Sequence, residues 1–182
     1  YEAAKLGIWT FLATEVLLFG ALFTAYIVFR LKFPVMFHAD YVHLNRLLGA
    51  ANTVVLISSS LTVALAVASI RKGKQKRMML FLSLTILLAG VFLAIKYFEW
   101  TEKFAHGLFP GTDIFFSLYF MMTGLHGLHV LGGMLVLGAM LILAGRGRFS
   151  ESYHTPVEIS GLYWHFVDLV WIYLFPMLYL IG

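Results

Sequence analysis

Residues 161–171 read Gly-Leu-Tyr-Trp-His-Phe-Val-Asp-Leu-Val-Trp, which sets an imidazole and a carboxylate inside a run otherwise apolar enough to cross a bilayer. On a helix His165 and Asp168 are three apart, Trp164 and Asp168 four apart, and Trp164 and Trp171 seven apart, so all four share one stripe. A charged carboxylate facing lipid at that depth costs at least ~2.5 kcal/mol. The stripe must therefore look toward other helices, of this chain or of a partner. Glu15 and the pair His126 and His129 lie in similarly apolar runs and need the same shelter. Inside a membrane, groups of these types can lock helices together by hydrogen bonding or can hold and pass protons. Both readings stand for Glu15.

Depth narrows the pairing. At 1.5 Å per residue Glu15 lies about 14 Å beyond Leu6, His165 about 9 Å and Asp168 about 14 Å beyond Ile159, and His129 about 24 Å before Gly145. These depths predict that Glu15 approaches the last helix near His165, with His129 as the second choice. His126-Gly-Leu-His129 presents two imidazoles on one helical face. Two ligands leave a transition metal under-coordinated, and a pair on one helix does not face itself across a haem. Hydrogen bonding between helices is the expected use of both histidines, and no metal site is expected. Gly124, Gly127, Gly132 and Gly133 allow a neighbouring helix to come close, so Gly127→Leu is expected to block that approach. Ala21 and Ala25 form a small-xxx-small pair suited to the same task.

Five runs are long enough to hold these groups within spans of ~20 residues. The expected helices cover roughly 5–32, 46–70, 76–103, 114–145 and 157–182, one all-α transmembrane domain over 1–182. The third ends in Lys96-Tyr-Phe-Glu99-Trp100, read as an interfacial tail with snorkelling charges. Pro34 marks a surface connection, Pro110-Gly111 a turn, and Pro156 the first turn of the last helix. Serines and threonines of the second and fourth spans are expected to bond back to their own backbone. Most Phe and Trp side chains are expected to face lipid or the interfacial belt.

The chain is 61% hydrophobic and only 12% charged, which marks a membrane protein. It has no Cys, so disulfides, thiolate metal sites, iron–sulfur clusters and covalent c-type haem are excluded. The first apolar run is too long for a secretory signal and lacks a cleavage-type end. The sequence opens on Tyr1 rather than Met, which leaves room for residues upstream. The net charge of +4 owes most to Arg71, Lys72, Lys74, Lys76 and Arg77. That turn is an orientation signal and a candidate contact for anionic lipid headgroups, not a nucleic-acid site. Eight Lys and Arg fall on one side of the spans and five on the other. The N-terminus is therefore expected in the cytoplasm and the C-terminus in the periplasm.

Five stretches carry a resemblance. They are Trp9-Thr-Phe-Leu-Ala-Thr-Glu15-Val with Phe19-Gly20, Asn52-Thr-Val-Val-Leu-Ile-Ser-Ser59, Tyr97-Phe-Glu99-Trp, Thr123-Gly-Leu-His126-Gly-Leu-His129-Val-Leu-Gly-Gly133 and Tyr163-Trp-His-Phe-Val-Asp168-Leu-Val-Trp171. Together they resemble subunit III of haem–copper terminal oxidases, above all cytochrome c oxidase, and they cover all five spans in order. The seven-span form of that family holds phospholipid in a cleft, and this chain looks like its last five spans. The resemblance implies a subunit without redox centres, in a bacterial inner-membrane complex that reduces dioxygen to water while pumping protons. Haems and copper would reside in a large catalytic subunit and its copper-bearing partner. This chain would brace the large subunit, retain phospholipid and sustain proton uptake without itself being catalytic. Glu15, His126, His129, His165 and Asp168 match the family's buried polar positions. A quinol-oxidising member and a nitric oxide reductase accessory subunit are related alternatives. A small proton-coupled transporter using Glu15 and Asp168 is a rival of another class, although internal repeats and broken helices are not evident.

Overall fold

The computed structural model describes residues 2–181, and the side chains of residues 3–181. Its elements are α1 (Glu2–Lys32), a short α2 (Pro34–Asp40), α3 (Arg46–Arg71), α4 (Gln75–Ala105), α5 (Ile114–Gly145) and α6 (Thr155–Phe175). A single 3₁₀ turn, Tyr41–His43, follows α2, and a π-type turn, Pro176–Leu180, follows α6. Five of the helices are long and apolar enough to cross a membrane. Among the described residues the only extended pairing is an isolated bridge between Ser150 and Tyr153. The chain is an all-α membrane bundle.

Local chemistry sets the boundaries. Asn45 accepts hydrogen bonds on Oδ1 from the amides of Leu47 and Leu48, 3.1 and 3.2 Å away, and so caps the start of α3. Gly73, at φ 67°, turns the chain within the basic loop so that α4 folds straight back along α3. Pro156 stands in the first turn of α6, where its missing N–H is not needed. The last span departs from the expected 157–182. Regular helix stops at Phe175 because Pro176 cannot donate to the helical ladder, and Gly182 lies outside the described residues.

α6 is the hub, lying against α1, α3 and α5, while α4 closes the bundle between α3 and α5. Hydroxyl ties reinforce these contacts. Trp164 Nε1 donates to Ser59 Oγ (3.1 Å) and Trp171 Nε1 to Thr53 Oγ1 (3.0 Å), joining α6 to α3. Thr62 and Thr85 hydroxyls meet at 2.7 Å between α3 and α4. The hydroxyls of Thr53, Ser59 and Thr62 also bond back to their own helix, so they serve both backbone and neighbour.

Three expectations are corrected. Trp164, Trp171, Phe37, Phe92, Phe115 and Phe116 are fully buried, so much of the aromatic content is core and not lipid-facing bulk. The close glycine is Gly133, where a Cβ would lie 2.7 Å from the Trp164 ring, whereas a Cβ on Gly127 meets nothing within 4 Å. Gly127 lies along a groove between α4 and α5, which leaves room for a side chain there. Ala21 is exposed and only Ala25 packs against the core, so the two do not act as a pair within the chain.

Candidate functional site in the membrane interior

The helix register decides which polar groups meet. Glu15 lies on α1 and His129 on α5, and their Oε2 and Nε2 atoms are 2.8 Å apart. The expectation that Glu15 pairs with His165 is therefore corrected. α1 already runs from Glu2, not from Leu6, which puts Glu15 about 20 Å along its helix and close to the depth of His129. The second factor is lateral: α1 leans on both α5 and α6, and axial counting cannot choose between those neighbours.

The imidazole is held on both sides. His129 Nδ1 lies 2.7 Å from the Leu125 carbonyl, an acceptor only, so Nδ1 carries a hydrogen. Nε2 and the Glu15 carboxyl then share one proton. Either a neutral carboxylic acid donates to Nε2, or an imidazolium donates to a carboxylate. Both forms leave the pair without net charge, which is how an acid can reside in this helix. The Tyr163 hydroxyl donates to the His129 carbonyl (3.1 Å), and the Phe19 ring stands edge-on to the imidazole with centroids 5.2 Å apart. Both side chains of the pair retain slight exposure, 14% for Glu15 and 15% for His129.

The other candidates do not join it. His165 Nδ1 is 2.6 Å from Ser60 Oγ on α3. His126 is fully buried with both ring nitrogens unpartnered. Its ring packs edge-on to Phe92 and against Trp171, centroids 5.6 and 5.4 Å away. The expected inter-helix hydrogen bond from His126 is absent because its neighbours present ring faces and edges, and Trp171 spends its N–H on Thr53. Asp168 is 2% exposed, with the Ser60 and Ser59 hydroxyls of α3 beside its carboxyl. Among the described residues no three His, Asp or Glu side chains are grouped to hold a metal ion.

The basic turn is exposed from Arg71 to Lys74 and again at Lys76 and Arg77. Arg71 Nε donates to Glu158 Oε1 at 2.7 Å, and His154 Nε2 lies 3.1 Å from the same oxygen. Arg71 and Lys72 also line a groove of about 710 Å³ with Lys5, Trp9 and His165.

One polar centre escaped the sequence reading. Glu99 is fully buried; its Oε2 accepts from Lys96 Nζ (2.9 Å). Its Oε1 accepts from Lys103 Nζ (3.1 Å), Tyr119 OH (3.0 Å) and Tyr179 OH (2.6 Å). Lys96 also donates to the Tyr179 hydroxyl and stands over the Trp171 ring, 4.6 Å from its centroid. These charges face the bundle and do not snorkel. The signal was present: residues 96, 99 and 103 share one helical face, while Tyr97 and Phe98, 70% and 69% exposed, occupy the other.

Across residues 1–182 the chain matches the family model described as cytochrome c oxidase subunit III. The chain belongs to that family. It is 35% identical over 176 residues to the cytochrome c oxidase subunit 3 of a Synechocystis strain, covering 96% of this chain and 74% of that one. A probable quinol oxidase subunit 3 of Staphylococcus epidermidis is 34% identical over 184 residues, covering 100% of this chain and 90% of the relative. The cytochrome bo(3) ubiquinol oxidase subunit 3 of Pseudomonas putida is 31% identical, with 100% and 87% covered. Subunit III is thus a component of a haem–copper oxidase complex, and its relatives are named for both kinds of electron donor.

Proposed function

We propose that this chain is the redox-centre-free subunit III of a proton-pumping cytochrome c oxidase in a bacterial inner membrane. It braces the large haem–copper subunit, retains phospholipid against that subunit and supports proton uptake, while catalysis takes place elsewhere in the complex. The observation that carries this reading is the Glu15–His129 pair, one transferable proton held without net charge between α1 and α5. His126, His165 and Asp168 are satisfied or isolated separately and take structural parts. The exposed Arg71–Arg77 turn meets anionic headgroups on the cytoplasmic side, consistent with the excess of Lys and Arg there.

A quinol-oxidising complex is the second reading, favoured by the relatives named quinol oxidase at nearly equal identity. A copurifying subunit with a dinuclear copper motif decides for cytochrome c, and its absence decides for quinol.

The proton role is tested by Glu15→Gln, whose amide can still donate to His129 Nε2 but carries no transferable proton. The variant complex is expected to assemble normally and to lose proton uptake and activity faster during sustained turnover. Unchanged turnover and lifetime would leave the pair a packing device only.

A further inference from the structure

The His129 imidazole is tied through one nitrogen to Leu125 of its own helix and through the other to Glu15. The first tie fixes the ring to α5. The separation of Nε2 from the Glu15 carboxyl therefore depends on how α1 stands against the His129 turn. Tyr163 of α6 touches both helices there. Its hydroxyl donates to the carbonyl of His129 itself, at 3.1 Å. Its ring lies against Phe11 of α1, centroids 6.0 Å apart. Phe11 is four residues before Glu15, one turn away on the same helical face. The Glu15 carboxyl also lies within electrostatic reach of the Tyr163 hydroxyl.

Two glycines give the phenol its access. A Cβ on Gly132 would lie 3.7 Å from the hydroxyl oxygen, and one on Gly133 would lie 3.3 Å from ring carbon Cε1. Helical carbonyls point toward the turn that follows them. A phenol laid across Gly132 and Gly133 thus meets the carbonyl of His129 one turn earlier. Ring packing alone would need only a Phe at 163. A hydroxyl aimed at the backbone of the residue that carries the imidazole adds a set distance. We propose that Tyr163 is the positioning residue of the Glu15–His129 pair, a strut from α6 that sets the spacing of α1 and α5 at which the two side chains share their proton. It acts through the His129 backbone and the Phe11 ring and transfers no proton itself. This inference rests on the pair supporting proton uptake within the oxidase complex.

Tyr163→Phe keeps the ring and deletes only the hydroxyl, so it tests the strut in the intact complex. Infrared difference spectra of wild type against Glu15→Gln assign the carboxyl band of Glu15. That band is expected to shift in Tyr163→Phe. Activity loss during sustained turnover is expected to quicken by about threefold, the population equivalent of one neutral hydrogen bond. Added to Glu15→Gln, Tyr163→Phe is expected to change the rate of loss no further, because its effect runs through the pair. An unmoved band, or an equal further quickening in the Glu15→Gln background, overturns the proposal. Phe11→Leu removes the ring contact and spares the hydroxyl, which keeps the test decisive if Tyr163→Phe assembles poorly. It is expected to shift the same band, and an unmoved band there also overturns the proposal. Wild-type turnover and lifetime in Glu15→Gln would instead strike the functional reading, and the band alone would then decide whether Tyr163 sets the geometry of the pair.

Discussion

A carboxyl and an imidazole 2.8 Å apart can sit in a bilayer only if one proton serves both, and the Leu125 carbonyl fixes that count by holding the other imidazole nitrogen in its protonated state. The consequence separates two substitutions. Glu15→Gln preserves a donor to Nε2, whereas Glu15→Leu leaves the partly buried ring nitrogen unpaired and is expected to cost about 1–3 kcal/mol. Thermal dissociation of subunit III from the complex should register the second and not the first. The Glu99 centre is more demanding, because its carboxylate faces two buried ammonium groups. Glu99→Ala is expected to destabilise the chain by about 3–5 kcal/mol, since two cations would then be buried without a counter-ion. A melt within a degree or two of wild type would contradict that assignment. At this scale the sequence told which residues must be sheltered but misassigned partners. Depth along a helix says nothing about azimuth, so His165 and His129 competed on one coordinate when the choice was made by another.

Helices and turns were more legible. The spans could be read from apolar length and the start of α6 from Pro156, a signal that acts within one turn of chain, whereas the Asn45 cap of α3 went unread. The tight contact was not legible, since four glycines cluster near the histidines and only packing selects among them. Gly133→Ala would drive a methyl into the Trp164 ring, which is held by its bond to Ser59, and is expected to cost about 1–3 kcal/mol. Gly127→Leu should leave the chain's own fold unaffected, and thermal melts of the two variants side by side check the contrast. The end of α6 also went unread: Pro176 redirects the chain, which lets the Met177 carbonyl accept from Tyr26 OH at 2.9 Å and turns Tyr179 toward Glu99. The short α2 offers a pH test. Burial raises the Asp40 carboxyl above its ordinary range, the nearby Asp113 carboxylate raises it further, and His43 partly offsets both. A raised acid penalises the folded state while ionised and is relieved as pH falls through its folded value. Asp40→Asn should therefore stabilise the protein at neutral pH, with the gain shrinking on acidification. Melting points collected across that pH range that show a constant gain would contradict the assignment.

For the whole molecule, the bundle turns Glu15, Glu99, His126, His129 and Asp168 toward its own helices and leaves α1 studded with exposed Leu6, Leu17 and Leu31, a surface made for lipid or neighbouring subunits. The class of fold followed from composition alone, because so few charges and so many long apolar runs admit no soluble core. The place of Lys96 and Lys103 did not follow. Counted as surface charges they dilute the asymmetry between the two sides, but both are buried and paired with Glu99, and excluding them strengthens the expectation of a cytoplasmic N-terminus. The central claim is that subunit III carries no redox centre and belongs with chains that do. The most direct measurement is affinity purification through a tag on this chain, with visible spectra and metal content recorded before and after the chain is stripped from the complex. The account predicts that haem and copper signals accompany the tagged chain and remain wholly with the other subunits once it is removed. Haem or copper that stays with the isolated chain, or a purification that brings down no oxidase subunit, would contradict it.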